Sequence, residues 1–307
     1  MEIDVIIPSY FGLEYVDRCL ESISEHMPMA KIIVVDNNSS DGTAKYIRGK
    51  FPEVTVIENE YNSGYSRGCN IGALNSSSEF MMFLNQDSEI SKIDLPGLEE
   101  SFKSKNIGII TGPVLDEKGN SIATIGRPMG ILGILKSWAF LPLIFLGFSR
   151  FSPLYAEESE SFFAPNGYWI SGHLMIVRRS LFEELSGWDE GFFAYVVDTD
   201  FCNRVQNLGF EVLFSSNVVS IDLNGLRNNT SEMTRFVVHD SLLGQGRFIS
   251  KKHGVLIGTL CRTICSLIAI NWGIFASLVF LFDGVRRKSS LNLIVGGFKA
   301  LVGTKSA

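Results

Sequence analysis

Five apolar residues in a row, followed at once by polar ones, constrain the fold of this chain more than any other feature. The stretch Phe80–Leu84 carries no charge and ends in Asn85, Gln86 and Asp87. A strand that is apolar on both faces is typical of parallel sheets in α/β proteins. In such sheets ligands bind just beyond the carboxyl ends of the strands. The stretch therefore predicts that Asp87 faces a crevice where it can hold a metal or a polar ligand. An ordinary strand-to-loop transition is the alternative, since Asn and Asp are common there.

Strands and helices alternate through the first part of the chain. Val5–Ile7, Ile32–Val35 and Val54–Ile57 predict short strands. Between the first two, the residues from about Glu14 to His26 place apolar side chains at helical spacing. A β-α-β-α-β run implies a parallel sheet with right-handed crossovers. We therefore expect an α/β fold with a Rossmann-like, mostly parallel sheet that is flanked by helices.

Polar residues follow the predicted strands at the edge of the sheet where a nucleotide would lie. The turn Pro8–Tyr10 closes the first strand, and a polar cluster runs from Asp36 to Thr43 after the second. The cluster also has the composition of a capped helix N-terminus, and one loop can serve both purposes. Further on, Arg67 lies in the glycine-containing segment Asn62–Gly72, where its planar guanidinium can face a phosphate or a base.

Composition excludes some classes of protein. The 307 residues include 27 basic and 33 acidic ones, for a net charge of −6, so we expect no nucleic-acid partner. Five cysteines form no C-x-x-C pair and no zinc spacing, which suits a reducing compartment. Residues Met1–Asp4 do not have the pattern of a signal peptide. We therefore expect the catalytic part to face the cytoplasm.

Three local predictions concern the segments around these motifs. We expect a helix from Asn70 to Asn75, a solvated segment from Ser91 to Phe102, and a hairpin from Val114 to Thr124. The hairpin prediction depends on the turn-forming residues Asp116–Asn120.

A series of short motifs runs in order through residues 3 to 225. They are Ile6–Tyr10, Val34–Thr43, Asn62–Tyr65, Asn70–Gly72, Leu84–Asp87, Trp169–Gly172, Gly187–Phe193 and Asp198–Arg204. In this combination they resemble the family-2 inverting glycosyltransferases, and most of all the bacterial rhamnosyltransferases of O-antigen and capsule assembly. The resemblance implies a GT-A fold, a nucleotide-sugar donor and a divalent cation, Mg²⁺ or Mn²⁺.

The resemblance also implies which residues bind the donor. They are Pro8, Ser9, Tyr10, Asp36, Asn38, Arg67, Asn85 and Asp87. Asp87 stands at the last position of the family's Asp-x-Asp-type motif, beside the metal and the diphosphate, and Asn85 replaces the first acid. One carboxylate and the donor's own phosphates can hold a hard cation, with water completing its coordination shell.

On the acceptor side, the resemblance implies that Asp198 is the general base. In the family an acidic pair stands here, and Val197 occupies the position of its glutamate. A carboxylate at the start of a helix is favoured by the helix dipole. Asp200, two residues on, points elsewhere and is expected to be structural.

A second departure from the family concerns the metal. The family often has a histidine, sometimes a metal ligand, where this chain has Asp222–Gly225. Either Asp222 replaces that histidine as a hard oxygen ligand, or the metal lacks a third protein ligand. His173 is expected to be a hydrogen-bonded polar residue near the site.

Long apolar segments predict contact with a membrane. Met129–Phe148 is expected to be an interfacial or acceptor-covering insertion, with a buried core helix as the alternative. Val255–Phe282 contains one basic residue, Arg262, and is long enough to span a bilayer. Because both of its flanks are basic, a hairpin or in-plane helices on anionic headgroups satisfy the positive-inside rule better.

We expect a GT-A domain over residues 1–245, with a donor-binding half (1–95) and an acceptor-binding half (96–245). A C-terminal helical, membrane-associated region would follow over 246–307. The expected activity is transfer of L-rhamnose from dTDP-L-rhamnose to a glycan on a polyprenyl diphosphate. The expected location is the cytoplasmic face of the bacterial inner membrane, as a peripheral or monotopic protein.

Three alternatives compete with this interpretation. The donor can be a UDP-hexose or a UDP-N-acetylhexosamine within the same family. A nucleotidyltransferase usually needs a basic, glycine-rich loop after the first strand, which Pro8–Gly12 does not provide. A catalytically degenerate membrane scaffold would agree with Val197 and the missing histidine, although Asp87 and Asp198 are both retained.

Overall fold

The computed structural model describes residues 1–140, 161–224, 231–279 and 284–304. The chain divides into two compact units, which we describe separately. The sheet unit comprises Met1–Gly126, Ala156–Glu190 and Val197–Gly225. The helical unit comprises Arg127–Tyr155, Gly191–Val196 and Leu226–Ala307. The domain boundary expected at residue 245 falls inside a helix of the helical unit, Ser231–His253.

In chain order the sheet unit contains β1 (Ile3–Ser9), α1 (Val16–His26), β2 (Lys31–Asp36), α2 (Thr43–Lys50), β3 (Thr55–Glu58), α3 (Gly64–Leu74), β4 (Phe80–Leu84), β5 (Ser88–Ile93), α4 (Leu95–Phe102), β6 (Ile107–Thr111), β7 (Val114–Asp116), β8 (Ser121–Ile122), β9 (Ile125–Gly126), β10 (Phe162–Phe163), β11 (Trp169–Ile170), β12 (Leu174–Arg178), α6 (Arg179–Glu184), α7 (Val197–Asn207), β13 (Glu211–Phe214) and β14 (Val218–Asp222). The helical unit contains α5 (Ile131–Ala139), α8 (Ser231–His253), α9 (Val255–Val279) and α10 (Gly284–Leu301).

The main sheet of the described residues has the strand order β10-β13-β6-β12-β4-β1-β2-β3. β1 lies parallel to both β2 and β4, and β2 lies parallel to β3. β12 is antiparallel to its two neighbours, β4 and β6. Every residue of β4 is buried, as the apolar run Phe80–Leu84 predicts. The expected α/β fold with a mostly parallel sheet is confirmed.

Alternating side chains of the central strands supply the core on each face of the sheet. Val5 and Ile7 of β1 belong to one buried cluster with Leu20 and Ile23 of α1. On the other face α3 approaches closely, because a Cβ at Gly72 would lie 2.4 Å from Cγ2 of Ile6. Tight packing of this kind fixes the strand ends, which carry the predicted site residues.

The helix predicted from Asn70 begins earlier, at Gly64. The Asn62 side chain accepts a hydrogen bond from the Gly64 N–H at 3.1 Å, which satisfies a donor at the helix start. Asn37 also accepts hydrogen bonds from the N–H and the hydroxyl of Ser63. The helix therefore begins where neighbouring loops cap it, and the apolar pattern alone did not show this.

The prediction that Ser91–Phe102 is solvated was wrong. Its first residues belong to β5, which pairs with β14, and the rest forms α4. The Asp94 carboxylate caps α4 by accepting the N–H of Gly97 at 3.1 Å. Leu98 and Phe102 are buried on the sheet-facing side of this helix. The sparse apolar residues were therefore the buried face of a short helix.

The hairpin predicted between Val114 and Thr124 is present. β7 and β8 pair antiparallel across the predicted turn. Asp116 stabilises that turn by accepting the N–H groups of Lys118 and Asn120.

Helices α8, α9 and α10 pack against one another, and α9 also contacts α5. Small residues permit close crossings: a Cβ at Gly258 would lie 2.5 Å from the Gly246 carbonyl oxygen, and one at Gly273 2.7 Å from that of Ser290. In the described part of the chain, one helix, α9, is long and apolar enough to cross a membrane. Of the insertion predicted at Met129–Phe148, α5 is described, and residues 141–148 lie outside the described residues.

Candidate active site

Gln86 joins the turn after β1 to the end of β4. Its Oε1 accepts hydrogen bonds from the Ser9 hydroxyl at 2.6 Å and the Tyr10 N–H at 2.8 Å. Its Nε2 donates to the Tyr10 carbonyl oxygen at 2.8 Å. The predicted nucleotide-binding turn Pro8–Tyr10 and the predicted metal-binding residue Asp87 are therefore neighbours. The sequence pattern assigns Gln86 no role of its own, although its place directly before Asp87 is a signal that it lies at the site.

Asp36 provides an acceptor that the protein leaves open. The residue ends β2 and is 1% exposed. Its Oδ2 accepts the Ser39 N–H at 2.9 Å, whereas the buried Oδ1 has no hydrogen-bond partner among the described residues. Buried carboxylate oxygens are normally hydrogen-bonded. Oδ1 is thus suited to accept a hydrogen bond from a bound ligand.

The loop after Asp36 has an unusual backbone. Asn38 adopts a left-handed conformation, with φ of 62°, which Asn tolerates better than most residues. Asn37 beside it is buried and accepts hydrogen bonds from Ser63 and Asn59, which holds the loop against the start of α3. Arg67 lies exposed on α3, with its guanidinium 5.7 Å from the centre of the Tyr61 ring.

Asp87 and Asp222 come together at the ends of β4 and β14. The Asp87 carbonyl oxygen accepts the Leu223 N–H at 2.8 Å, and the Asp87 carboxylate accepts the Asn224 side-chain amide at 3.1 Å. The Asn224 N–H donates to the Asp222 carboxylate at 3.0 Å. Asn85, on the other side of Asp87, donates its N–H to the His173 carbonyl oxygen at 3.0 Å.

His173 is a buried neighbour of this pair. Its Nε2 lies 2.8 Å from the Ser88 hydroxyl. Burial lowers the pKa of His173, and the nearby carboxylates of Asp87 and Asp222 partly offset that effect. The imidazole is therefore a hydrogen-bonded residue near the predicted site, as expected from the sequence, and the structure places it close to both carboxylates.

The chemistry of these donors fits a hard divalent cation. Asp87 and Asp222 supply carboxylate oxygens, which Mg²⁺ and Mn²⁺ prefer. In the ranges that the structure describes, no group of three or more His, Cys, Asp or Glu side chains is arranged to hold a metal. A cation here would therefore take its remaining ligands from water or from a bound phosphate group.

Asp198 lies in the first turn of α7, close to the helix start that the sequence predicted. Its two carboxylate oxygens accept the N–H groups of Thr199 at 2.7 Å and Gly172 at 3.2 Å. Burial outweighs these hydrogen bonds and raises the pKa of Asp198 to about 6. A carboxylate with this pKa is ionised at neutral pH and is still basic enough to accept a proton.

The surroundings of Asp198 are held by the loop before β12. The Tyr65 hydroxyl donates to the Gly172 carbonyl oxygen at 2.7 Å, and burial raises the pKa of Tyr65 well above its usual value. A Cβ at Gly172 would lie 3.2 Å from the Tyr65 hydroxyl and 3.7 Å from Cβ of Asp198. The absence of a side chain at Gly172 thus permits the close approach of the Tyr65 hydroxyl. Because Tyr65 is neutral, it adds no charge beside the Asp198 carboxylate.

Asp200 is a structural residue, as the sequence predicted. Its carboxylate is buried and pairs with Arg204 at 2.7 Å. The same guanidinium donates to the carbonyl oxygens of Leu185 and Gly187, both at 2.9 Å. Asp200 and Arg204 therefore tie α7 to the loop after α6 and leave Asp198 as the acid of this helix that can face a substrate.

Residues 4–186 match the family model described as glycosyl transferase family 2. The chain belongs to this family. The matched motifs include the ends of β1, β2 and β4.

Curated relatives of this family-2 chain are glycosyltransferases. A hexosyltransferase of low-salt glycan biosynthesis, Agl10 from Haloferax volcanii, is 27% identical over 67% of this chain and 62% of its own length. This chain thus matches less than two thirds of that relative. An N-acetylglucosaminyl-diphospho-decaprenol L-rhamnosyltransferase from Mycobacterium tuberculosis is 24% identical over 67% of this chain and 71% of its own length.

Solved structures show the same fold. The mannosyltransferase PcManGT from Pyrobaculum calidifontis, solved with GDP-Man and Mn²⁺, is similar over 99% of this chain and 88% of its own, with a TM-score of 0.54 and 14% identity. The GT-A-like fold implied by the sequence resemblance is thereby confirmed.

Proposed function

We propose that this family-2 glycosyltransferase is an inverting rhamnosyltransferase. It would move L-rhamnose from dTDP-β-L-rhamnose to a hydroxyl of a glycan on a polyprenyl diphosphate. The observation that carries the inverting chemistry is Asp198, a partly buried carboxylate in the first turn of α7 that accepts two backbone N–H groups and has a pKa of about 6. The printed name of the Mycobacterium tuberculosis relative supports both the sugar and the class of acceptor.

Asp198 acts as the general base of the reaction. Its carboxylate takes the proton from the acceptor hydroxyl while that oxygen attacks the anomeric carbon of the donor. The bond from the anomeric carbon to the diphosphate oxygen breaks, and the nucleoside diphosphate leaves with that electron pair. Because attack and departure occur on opposite faces, a β-linked donor yields an α-linked product.

The donor is bound at the ends of β1, β2 and β4. Asp36 offers its open Oδ1 to the nucleoside, and the Pro8–Tyr10 turn, Asn38 and Arg67 complete that side. Asn85 and Asp87 face the diphosphate. Asp87 and Asp222 would hold Mg²⁺ or Mn²⁺, which when bound supplies positive charge for the leaving diphosphate.

The helical unit would attach the enzyme to the membrane that carries its acceptor. α9 exposes apolar side chains, among them Leu256 (83% exposed) and Leu278 (63% exposed). The basic residues Lys251–His253 are exposed at the end of α8, directly before α9. Exposed apolar groups beside basic ones suit an anionic bilayer surface. The proposed location is the cytoplasmic face of a bacterial inner membrane, as a peripheral or monotopic protein.

A hexose donor is the second candidate. It is favoured by the Haloferax volcanii relative, which is named a hexosyltransferase. The two candidates share the fold, the base and the metal site and differ in the donor that is consumed.

The proposal is tested by supplying purified enzyme with a short-chain prenyl-diphosphate N-acetylglucosamine acceptor. dTDP-β-L-rhamnose, UDP-glucose and UDP-N-acetylglucosamine are offered separately, and nucleoside diphosphate release is followed. We expect release with the rhamnosyl donor and an α-linkage in the product by NMR. Release from a UDP-sugar alone would favour the second candidate, and a β-linked rhamnoside would contradict inversion.

A further inference from the structure

One side of helix α8 faces the segment Gly191–Val196, and the residues along it form a stripe. The stripe consists of Phe236, Asp240, Gly244, Arg247 and Lys251. These residues recur every three or four positions, so they lie along one side of the helix. All of them belong to the helical unit, as does the segment that they contact.

Asp240 forms the central contact of this stripe. The residue is 3% exposed, and its Oδ2 accepts the backbone N–H groups of Ala194 at 3.1 Å and Tyr195 at 2.7 Å. Hydrogen bonds to an ionised acceptor are stronger and shorter than neutral ones. A single carboxylate oxygen thus fixes two consecutive peptide groups of the segment.

The other members of the stripe hold the same segment. The Phe236 ring lies 5.8 Å from that of Phe193 and 6.1 Å from that of Tyr195, measured between ring centres. At the other end, the Arg247 guanidinium lies 5.3 Å from the centre of the Phe192 ring.

Gly244 lets the helix backbone reach the end of the segment. A Cβ at this position would lie 2.7 Å from the Tyr195 carbonyl oxygen and 2.9 Å from Cγ2 of Val196. The first of these contacts is with backbone, so a side chain here would displace the segment.

Val196 itself has a backbone conformation that needs such support. Its φ is 71°, in the left-handed region where a β-branched residue is strained. Strain of this kind persists where the surrounding contacts over-determine the conformation, and it clusters at functional sites. The hydrogen bonds to Asp240 and the contact with Gly244 supply that constraint directly beside Val196.

Val196 is the residue immediately before α7, whose first turn carries Asp198. The torsion angles of Val196 therefore set the direction in which the chain enters the helix of the proposed base. We propose that Asp240 is a positioning residue, which holds Gly191–Val196 in the conformation that orients Asp198 toward the acceptor. This inference rests on the proposed function, in which Asp198 is the base.

The test compares Asp240→Ala and Asp240→Asn with the wild-type enzyme, using dTDP-β-L-rhamnose and the short-chain acceptor. Misplacing a catalytic group by about 1 Å can cost about 100-fold in rate, so we expect kcat of D240A to fall by about 10- to 100-fold. The donor KM and the affinity for dTDP should stay within about twofold of the wild-type values, because Asp240 and Asp198 do not take part in binding the donor. An Asn oxygen can still accept both N–H groups, so D240N should recover most of kcat.

Matched controls separate positioning from general destabilisation. Asp4 is also 3% exposed and accepts the N–H groups of Ser77 and Ser78 together with the hydroxyls of Ser76 and Ser78, so Asp4→Ala removes the hydrogen bonds of another buried carboxylate, within the sheet unit. Gly244→Ala should reproduce the kcat loss of D240A. In contrast, Gly49→Ala should not, because a Cβ at Gly49 meets nothing within 4 Å. The inference would be overturned if kcat, expressed per folded molecule, fell no more in D240A than in D4A.

Two further readouts distinguish this inference from the assignment of the base. If Asp240 acts through Asp198, adding D240A to D198N should not reduce the residual rate further. Amide hydrogen exchange should show that Ala194 and Tyr195 lose protection in D240A. If D198N is inactive while D240A keeps wild-type kcat, the positioning role fails and the base stands. If D198N turns over normally, the base fails and Asp240 has nothing to position.

Discussion

The chemistry at the scale of single residues depends on where each carboxylate lies. Asp36 keeps one buried oxygen without a partner among the described residues, Asp200 is neutralised by Arg204, and Asp198 is buried enough to become a stronger base. The same functional group is therefore structural at Asp200, whereas we propose ligand binding for Asp36 and proton transfer for Asp198, because its surroundings differ.

Replacing Asp198 by Asn should remove transfer and spare donor binding. An Asn keeps the shape of the side chain and loses its basicity, so the chemical step alone should suffer, by about 100-fold or more. Initial rates and calorimetric titration with dTDP should show a large fall in kcat and a Kd within a few-fold of wild type. Near-normal turnover by purified D198N would remove Asp198 from the mechanism.

The pH dependence of kcat/KM for the acceptor should report the protonation of Asp198. Because burial raises its pKa to about 6, the carboxylate becomes protonated as the pH falls below that value. The protonated form cannot accept a proton from the acceptor, so kcat/KM should fall about tenfold for each further pH unit. Initial rates at low acceptor concentration from pH 4.5 to 8 measure this. A profile that stays flat down to pH 5 would contradict the assignment.

Replacing Asp87 by Ala should abolish the metal-dependent part of nucleoside diphosphate binding. Asp87 is one of two carboxylates that would hold the cation, and its loss leaves Asp222 alone there. Titration of dTDP with and without Mn²⁺ should give a metal-dependent gain in affinity for the wild type and for D198N but not for D87A. Equal binding without metal in the wild type would exclude the metal role.

At the scale of elements, the site is assembled where secondary structures approach closely. α3 can lie on the sheet because Gly72 has no side chain, and the loop at Gly172 approaches the Tyr65 hydroxyl closely for the same reason. These approaches bring together residues that are far apart in sequence, such as Tyr65 and Gly172. The proposed donor and acceptor parts of the site thus depend on packing between elements.

Gly72→Ala tests the packing of α3. An added Cβ would lie 2.4 Å from Cγ2 of Ile6 and 3.3 Å from Cγ2 of Val35, so the helix must shift. Overpacking of this kind costs about 1–3 kcal/mol. Denaturant unfolding should show that loss. The control is Gly49→Ala in α2, where nothing lies within 4 Å and the higher helix propensity of Ala should stabilise the protein by about 0.5–1 kcal/mol. Equal effects of the two substitutions would contradict this account.

At the scale of the whole molecule, the family-2 fold is accompanied by a helical unit with an exposed apolar helix. The faces of α8 that carry Leu242 and Phe248 are buried within that unit. Truncation after His253 would remove α9 and α10, which pack on α8, and would therefore disturb the fold of this unit. Surface charge is therefore a better test of membrane attachment than deletion.

Charge reversal at Lys251 and Lys252 should weaken binding to anionic membranes. Each basic residue near such a surface contributes about 1 kcal/mol, so the double Glu variant should bind vesicles containing phosphatidylglycerol at least about tenfold less well. Vesicle flotation measures this, with phosphatidylcholine vesicles as the neutral reference. Reversing Lys103 and Lys105, an exposed basic pair in the sheet unit, is the matched control. Equal losses from both pairs would contradict a specific docking surface.

Much of the fold could be predicted because hydrophobic pattern encodes it locally. The uncharged run Phe80–Leu84 predicted a buried strand, and the acids near Asp198 marked the start of a helix. The order of short motifs was specific enough to indicate the family. The local hydrophobic pattern was not sufficient to predict elements whose burial depends on strands or helices distant in sequence. The segment Ser91–Phe102 has too few apolar residues to indicate β5 and α4 on its own.

The contacts that make the site were decided by tertiary structure alone. No spacing in the sequence shows that Gln86 binds the turn at Tyr10, or that Asn224 reaches Asp87. The sequence determined which residue types are available, whereas their hydrogen bonds depend on which strand ends the sheet order brings together. The same holds for the basicity of Asp198, because its pKa is raised by burial, and burial is a property of the packed chain.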